Sequence, residues 1–394
     1  MLPNSTDVLI VGAGPTGLAL ALSLARAGID FLIVDKLAKG LNTSRAAAVH
    51  AHTLDVLERI GVAGDLLGQG IDVPVFSVRD RDSRLLSLDF RQVPSRHATI
   101  LMIPQHETEA IFEDKLAAAA GRTVHRGVTA TRILRKERGA VVHLDTPEGE
   151  AIVEARFVVG ADGLHSAVRE AAGIAFDGQS FPESFVLADV RMDWPLSTSE
   201  VTLFLSQQGM VVVAPLPGDR YRIVATYENA PEHPDAATIA TILQTRGPKG
   251  GDIAIHDVLW SSRFRVQHRL ARSYREGPYL LMGDAAHVHS PAGGQGMNTG
   301  LVDAIVLGDL LAEVLKEVAP ETRLDEYERL RRPAAADVLK IAERLTRIAT
   351  VRNPVMKLIR NAALRTIAFL PGTRRSLLMN MSGLARQARS VVRE

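Results

Sequence analysis

Cysteine is missing from all 394 residues. That excludes disulfides, thiolate metal ligands and a redox-active thiol pair, so any redox chemistry would fall to a bound organic cofactor. Net charge is close to missing as well. The 46 Lys and Arg against 45 Asp and Glu leave +1 with His neutral, which gives no reason to expect a nucleic-acid partner. Long apolar runs are also lacking: Gly, Arg or Asp punctuates each one short of a bilayer span, so no integral membrane segment is expected. No basic stretch precedes Asp7-Val8-Leu9-Ile10-Val11, and Gly12 arrives before a signal peptide could fit. A cytoplasmic location is the expectation. Trp is scarce, with only the isolated Trp194 and Trp260. The rest is ordinary for a globular chain, 46% hydrophobic and 23% charged, and long enough for two closely joined domains.

Charge is uneven along the chain. From Arg344 onward, eleven Lys or Arg stand against one acid, Glu394. The first reading is a solvated helix face, with an anionic surface or ligand as the alternative.

Two glycine-rich turns dominate what is present. Gly12-Ala13-Gly14-Pro15-Thr16-Gly17 follows the apolar run ending at Val11 and precedes a helical stretch, Leu18–Ala27, that stops at Gly28. Asp30–Val34 is a second apolar run closing on Asp35, which completes a βαβ unit. The second turn lies near residue 290: Tyr279–Met282 runs into Gly283-Asp284, and Pro291-Ala292-Gly293-Gly294-Gln295-Gly296 leads into a helix from Met297 to about Val318. Each turn can present helix N-terminal amides to an anion. Two together suggest a long dinucleotide held at both ends.

Between the turns, patterning predicts a helix from His52 to Ile60, short strands over Val75–Arg79 and Leu85–Leu88, and a helix over Gln105–Ala120. Strands follow at Ala130–Leu134, Val141–Leu144 and Ala151–Val159. Phe185–Met192, Val201–Leu205, Met210–Ala214 and Tyr221–Tyr227 read as an antiparallel meander with a hairpin at Pro217-Gly218-Asp219. A helix over Ala236–Thr245 and a strand over Val258–His268 lead back to the parallel-type run at Tyr279. The fold class is therefore α/β, with one domain assembled from discontinuous segments and a β-rich domain inserted into it.

In the first turn Gly12 suits the tight bend, Gly14 close pyrophosphate approach beside Pro15, and Gly17 helix–strand packing. Asp35 ends the second strand, where a carboxylate accepts from an adenosine ribose and repels a 2′-phosphate; FAD or NAD fits there better than NADP. Gly160-Ala161-Asp162-Gly163 puts another carboxylate and a flexible glycine at a strand end, and taken alone is equally a surface turn. Asp284 stands where a polyol could bond. The helix beginning near Met297 would stabilise negative charge at its N-terminus by about 0.3–1 kcal/mol when exposed. His287 and His289 flank Val288 without a third ligand nearby, so no metal is expected.

Gly12–Gly17, Asp162-Gly163 and Gly283–Asn298 together resemble the three fingerprints of group A FAD-dependent monooxygenases, the para-hydroxybenzoate hydroxylase-like aromatic and polyketide hydroxylases. The resemblance spans about residues 5–315 and includes the segment order. It implies a glutathione-reductase-type, Rossmann-like FAD domain (1–72, 99–178 and 278–350), an inserted antiparallel β-sheet substrate domain (73–98 and 179–277) and a C-terminal helical segment (351–394). It also implies roles: Asp35 on the adenosine ribose, Asp284 on the ribityl chain, and Gly296, Met297 and Asn298 along the isoalloxazine. Pro291 would lie near the flavin face where oxygen reacts. Arg45 matches an arginine set against the pyrophosphate or ribityl region, Gln105 a glutamine on the ribityl chain, and Val128 could offer backbone contacts to adenine. Each has a plain alternative, respectively a surface ion pair, a helix cap and strand core. His52 departs from the pattern, since many polyketide-hydroxylating relatives carry Arg there. A thioredoxin-like C-terminal domain is not expected.

The activity implied is NADPH- or NADH-dependent hydroxylation, with O2, of an aromatic or polyketide-like small molecule. Hydride reduces FAD, oxygen adds to give a flavin C4a-hydroperoxide, and OH passes to an electron-rich carbon. The nicotinamide donor would bind transiently, because no second Rossmann fingerprint exists. Substrate contacts are sought among His52, Tyr221, Arg222 and Tyr227, with no general base named, and a monomer or homodimer is expected. The alternatives are another flavin-dependent oxidoreductase (an epoxidase, a halogenase-like enzyme or an isoprenoid reductase) and a low-turnover FAD-binding sensor or resistance protein. The isolated tryptophans argue against halogenation.

Overall fold

Ser5–Val11 is buried on both faces, which is why it reads as a continuous apolar run rather than an alternating one. It pairs in parallel with Phe31–Asp35 on one side and Gly149–Gly160 on the other. The computed structural model describes residues 2–40, 46–290, 293–349, 351 and 353–392. Around Ser5–Val11 the first sheet runs Arg275–Glu276, Tyr279–Leu281, Gly149–Gly160, Ser5–Val11, Phe31–Asp35, His125–Arg126. Thr129–Arg135 and Ala140–Thr146 extend it antiparallel from Gly149–Gly160.

Ten α-helices are described: α1 (Pro15–Ala27), α2 (Ala51–Leu57), α3 (Ala63–Gln69), α4 (Gln105–Ala120), α5 (Ala167–Ala171), α6 (Ala236–Arg246), α7 (Gly296–Leu315), α8 (Asp325–Ala349), α9 (Pro354–Phe369) and α10 (Pro371–Met381). Pro15 at the first turn starts α1 and the left-handed Gly28 ends it, as local chemistry dictates. α1 and α7 pack closely because α7 is notched by glycines: a Cβ on Gly308 would run into the Ser23 side chain.

The second sheet orders His287–Val288, Ile255–Ala271, Phe176–Met192, Arg220–Thr226, Gly209–Leu216, Glu200–Ser206, Val75–Asp80, Ser83–Asp89. The expected meander is present, and Gly218 and Asp219 both take positive φ in its hairpin turn, the geometry that matches strand twist. Two differences stand out. Glu200–Ser206 pairs with Val75–Asp80 in parallel, so the sheet is not purely antiparallel. Its pairing partner comes from an earlier stretch of chain, and strand direction there is set by tertiary entry rather than by a hairpin. A small third sheet (Ala48–His50, Ile100–Met102, Ile71–Val73) and α3 escaped the sequence pattern, being only three residues per strand and seven in the helix.

One core lies about the first sheet and α1, α4 and α7. Another joins the third sheet, one face of the second sheet, and α9 and α10. A third lies on the other face of the second sheet, under α6.

Candidate functional site

The first glycine turn divides its labour. Gly12 takes φ +104°, and a Cβ there would run into the Ala161 carbonyl; a Cβ on Gly17 would run into the carbonyl of Gly12. Gly14 instead faces open space, with nothing within 4 Å of its added Cβ. Gly14 is the N-cap of α1, makes no side-chain cap bond, and no acid stands in the first turn. The helix thus offers uncapped amides at an open surface, which suits an anion supplied from outside.

Asp35 braces this turn. Its Oδ2 accepts from the Ala13 N–H (2.7 Å) and its Oδ1 from the Leu37 N–H (2.8 Å), with the Arg126 guanidinium 3.9 Å away. A carboxylate has about four acceptor sites, so capacity for a hydroxyl remains. The Val128 N–H donates to the Asp35 carbonyl (2.9 Å), which leaves only the Val128 carbonyl for a ligand. Gln105 opens α4; its Oε1 accepts from the Ala46 N–H (3.3 Å) and its Nε2 donates to Glu109 (2.9 Å). Glu109 was not singled out in the sequence. Burial pushes its carboxyl up against the opposing pull of Gln105 and Arg126. Arg45 and Pro291 lie outside the described residues.

Asp162 does something more local than expected. Its Oδ2 accepts from the Ala167 (2.8 Å) and Val168 (3.3 Å) amides at the start of α5. This oxygen of a carboxylate that is also a cofactor-binding candidate caps a helix, while its Oδ1 is buried without a partner; burial raises the pKa although the Ser166 bond opposes that. Arg169 ties this motif to the second glycine turn, donating to the Leu164 carbonyl (2.8 Å) and the Ala285 carbonyl (2.9 Å).

In the second turn Gly283 takes φ +56°, and Asp284 is exposed in the short 3-10 turn Gly283–Ala285. Beneath it Asp303 is fully buried between Arg331 (2.7 Å) and His287 (2.7 Å), which hold its carboxyl below the usual range despite burial. His287 is thus a structural partner of Asp303. At the start of α7, Gln295 is the N-cap without a side-chain cap bond, and no acid occupies the first turn. Gln295 instead reaches the C-terminal segment: its Nε2 donates to the Met381 carbonyl (2.8 Å) and its Oε1 accepts from Arg386 (3.0 Å).

Asn298 was expected along a flavin ring, yet its side chain is occupied. Its Oδ1 accepts from the His50 N–H and its Nδ2 donates to the Ala48 and Gly294 carbonyls, all at 2.8 Å. It stitches α7 to the third sheet. Gly296 begins the helix beside the His289 ring, and Met297 is partly buried against the first core.

The four substrate candidates separate. Arg222 and Tyr221 are neighbours on one strand, so they face opposite sides. Arg222 lies on the face that meets the third sheet and α9, bound in two bonds of 2.7 Å to Asp189 with its Nη1 buried and unpartnered. Arg220 on the same face donates to Glu107 of α4 (2.8 Å). Tyr221 and Tyr227 belong to the core under α6, where Tyr221 packs beside Trp194. They are not brought to the face that looks at the glycine turns. His52 is buried against Gly383, lining a cavity of about 20 Å³ with Arg331 and Arg386. Burial first, then those two arginines, lowers its pKa to about 4.

Residues 5–342 match a family model described as FAD binding domain. The 12-dehydrotetracycline 5-monooxygenase/anhydrotetracycline 6-monooxygenase of Streptomyces rimosus is 37% identical over 85% of this chain and 68% of its own length. The chain belongs to the FAD-dependent aromatic hydroxylase family. Another member, the 6-methylpretetramide 4-monooxygenase of Streptomyces rimosus, is 34% identical over 97% of this chain and 70% of its own. The anhydrotetracycline hydroxylase structure from Streptomyces rimosus superposes with a TM-score of 0.80 at 32% identity, covering 96% of this chain and 76% of that one. The p-nitrophenol 4-monooxygenase from Pseudomonas putida DLL-E4 shares the fold, with a TM-score of 0.87 over 98% and 99% of the two chains at 22% identity. As a flavin-dependent monooxygenase of this family, the chain needs a cradle for FAD. The open Gly14, the two uncapped helix N-termini and the exposed Asp284 fit that group.

Proposed function

We propose that this monooxygenase hydroxylates a flat, largely apolar aromatic or polyketide-like molecule. The observation that carries the reading is the pairing of two uncapped helix N-termini, those of α1 and α7, with a carboxylate near each: Asp35, bonded to the Ala13 amide of the first turn, and Asp284, exposed in the turn after Tyr279–Leu281. In this reading residues 1–72, 99–178 and 278–350 form a glutathione-reductase-type FAD domain and the second sheet supplies the substrate domain. Gly12, Gly14, Pro15 and Gly17 would hold the pyrophosphate, with Arg45 beside it; Asp35 would hold the adenosine ribose, the Val128 carbonyl the adenine, and Gln105 and Asp284 the ribityl chain. Asp162 acts at one remove by capping α5.

Bound FAD supplies the redox chemistry, accepting hydride from NADH or NADPH and passing one atom of O2 to the substrate while the other leaves as water. The protein's own part is electrostatic and positional. The amides of Gly296 and Met297, at the positive end of a 20-residue helix, favour negative charge on the flavin's pyrimidine edge. Asn298 fixes where those amides point by locking α7 to the third sheet. Arg222, whose buried Nη1 has no partner, would meet a phenol or a carbonyl of the substrate.

The relatives whose names specify tetracycline-type and phenolic substrates set the panel for testing. Purified protein should carry yellow flavin, and a panel of phenols and aromatic polyketides should include one that accelerates NADH or NADPH oxidation and gains one oxygen atom by mass spectrometry. Failure of every member to stimulate oxidation or to gain oxygen would overturn the substrate class.

A further inference from the structure

α9 carries its polarity the wrong way round for a helix on a water-facing surface. Three of its polar side chains point inward: Lys357 donates to the Gln207 carbonyl (2.7 Å), Arg360 to the Leu205 carbonyl (3.4 Å), and Asn361 to Asp80 (2.8 Å). Leu364, Ile367 and Ala368 lie between them against the second core. The outward face is Val355, Leu358, Ile359, Ala362, Thr366 and Phe369, which at about 100° per residue fall within an arc of about 100°. It is exposed and apolar throughout except for the Thr366 hydroxyl; Phe369 is 85% exposed and Leu358 72%. A scattered surface Leu needs no explanation, but a contiguous face of this kind marks an interaction site.

Charge identifies what covers it. No Asp or Glu occurs between Arg344 and Arg393. Arg344, Arg365 and Arg375 are exposed around α9, Arg347 is exposed but paired with Glu343 (2.6 Å), and Asp80, which contacts the helix, lies on its inner side. We infer that α9 seats this enzyme on the surface of an anionic phospholipid bilayer, with Val355, Leu358, Ile359 and Phe369 entering the boundary between headgroups and acyl chains. An apolar face flanked by Arg and Lys is the pattern of a helix lying in that interface, and the basic flank adds attraction to anionic headgroups. A second copy of the chain suits the face less well, because pairing two such faces would set basic flanks together with no acid in the segment to oppose them. No helix among the described residues is long and apolar enough to cross the membrane, so the contact is peripheral. The inference is independent of which substrate is hydroxylated.

The test is flotation of the purified full chain with phosphatidylcholine vesicles that contain or lack phosphatidylglycerol. The chain should float with the anionic vesicles, float less in high salt, and stay behind with phosphatidylcholine alone. The double variant L358E/F369E, checked for an unchanged circular-dichroism spectrum and melting temperature, should lose flotation. Absence of flotation in the parent chain, or its survival in the double variant, overturns the inference. So does light scattering that shows a dimer dispersed by L358E/F369E, since the face would then belong to a second copy.

Discussion

Thr16 sits in the notch of Gly300: a Cβ built on Gly300 would stand 2.5 Å from the Thr16 hydroxyl oxygen and 3.2 Å from the Gly283 Cα. One side chain from the first glycine turn thereby meets both the second turn and the helix that follows it. The N-terminal ends of α1 and α7 pack together at this contact.

Gly300→Ala should therefore overpack the joint, with a cost of about 1–3 kcal/mol. Thermal melting with and without added FAD measures it. Thr16→Ala removes the hydroxyl that clashes, so the double variant should recover much of the loss. An undiminished loss in the double variant would place the strain at Gly283 instead.

Asp284 and Asp35 make contrasting predictions. Asp284 is exposed, so Asp284→Ala should purify folded, with much less bound flavin. Full flavin retention would remove Asp284 from the ribityl chain. Asp35 also receives the Ala13 and Leu37 amides, so Asp35→Ala should lower apoprotein stability by about 1–3 kcal/mol as well as weaken FAD. Flavin content and apoprotein melting, read together, separate ligand contact from turn support.

How much of this was legible in the sequence follows from how local each signal is. Gly17 and Gly28 report backbone needs met within a few residues, and the positive φ of Gly12 and Gly283 is likewise a local signal although their close neighbours, Ala161 and Thr16, are distant in the chain; the glycine turns are where they were expected. Asp162 shows the limit: a carboxylate five residues before a helix start can cap that helix as readily as touch a ligand. Tyr221 and Arg222 show another. Alternation puts them on opposite faces, but which face looks inward depends on α6 and α4, elements far away in sequence. Pairing of Val75–Asp80 with Glu200–Ser206 is equally non-local. The reversed polarity of α9 was visible only as an excess of basic residues, because its inward partners are carbonyls of Leu205 and Gln207, which no side-chain pattern reveals.

Stability should fall on mild acidification. His50, His52 and His289 are each lowered to about 4, burial being the first cause. Their ordinary value in an unfolded chain is about 6.5. Below that pH the unfolded chain takes up protons that the folded chain refuses, so stability is complete above about pH 6.5 and drains away as pH falls toward about 4. Each fully coupled histidine contributes up to about 1.4 kcal/mol per pH unit in that window. Arg331 and Arg386 face His52 and deepen its shift, whereas the Gly293 carbonyl bonded to His50 Nε2 opposes that of His50. Melting temperatures between about pH 7.5 and pH 5 should decline, and His52→Leu should flatten the decline. An unchanged slope in His52→Leu would mean that the ring already titrates freely.

Arg222 allows structural and substrate roles to be told apart. The pair with Asp189 is nearly sealed from solvent, with side chains 4% and 11% exposed. Arg222→Met leaves the Asp189 carboxylate buried and alone, which should lower stability by about 3–5 kcal/mol. Replacing both, Arg222→Met with Asp189→Leu, removes the two charges together and should restore most of that stability, because an apolar pair of similar volume is often neutral at such a site. The buried Nη1 of Arg222 has no partner, and a substrate oxygen would supply one. If it does, the restored double variant should still bind flavin and oxidise nicotinamide slowly, yet show a KM for substrate raised about tenfold or more, since a lost charged hydrogen bond amounts to about 1.5–3 kcal/mol. Steady-state oxygen consumption checks it. A double variant with parental KM and kcat would make Arg222 a structural cross-strand pair, and the substrate's polar contact would have to come from another element of the same face.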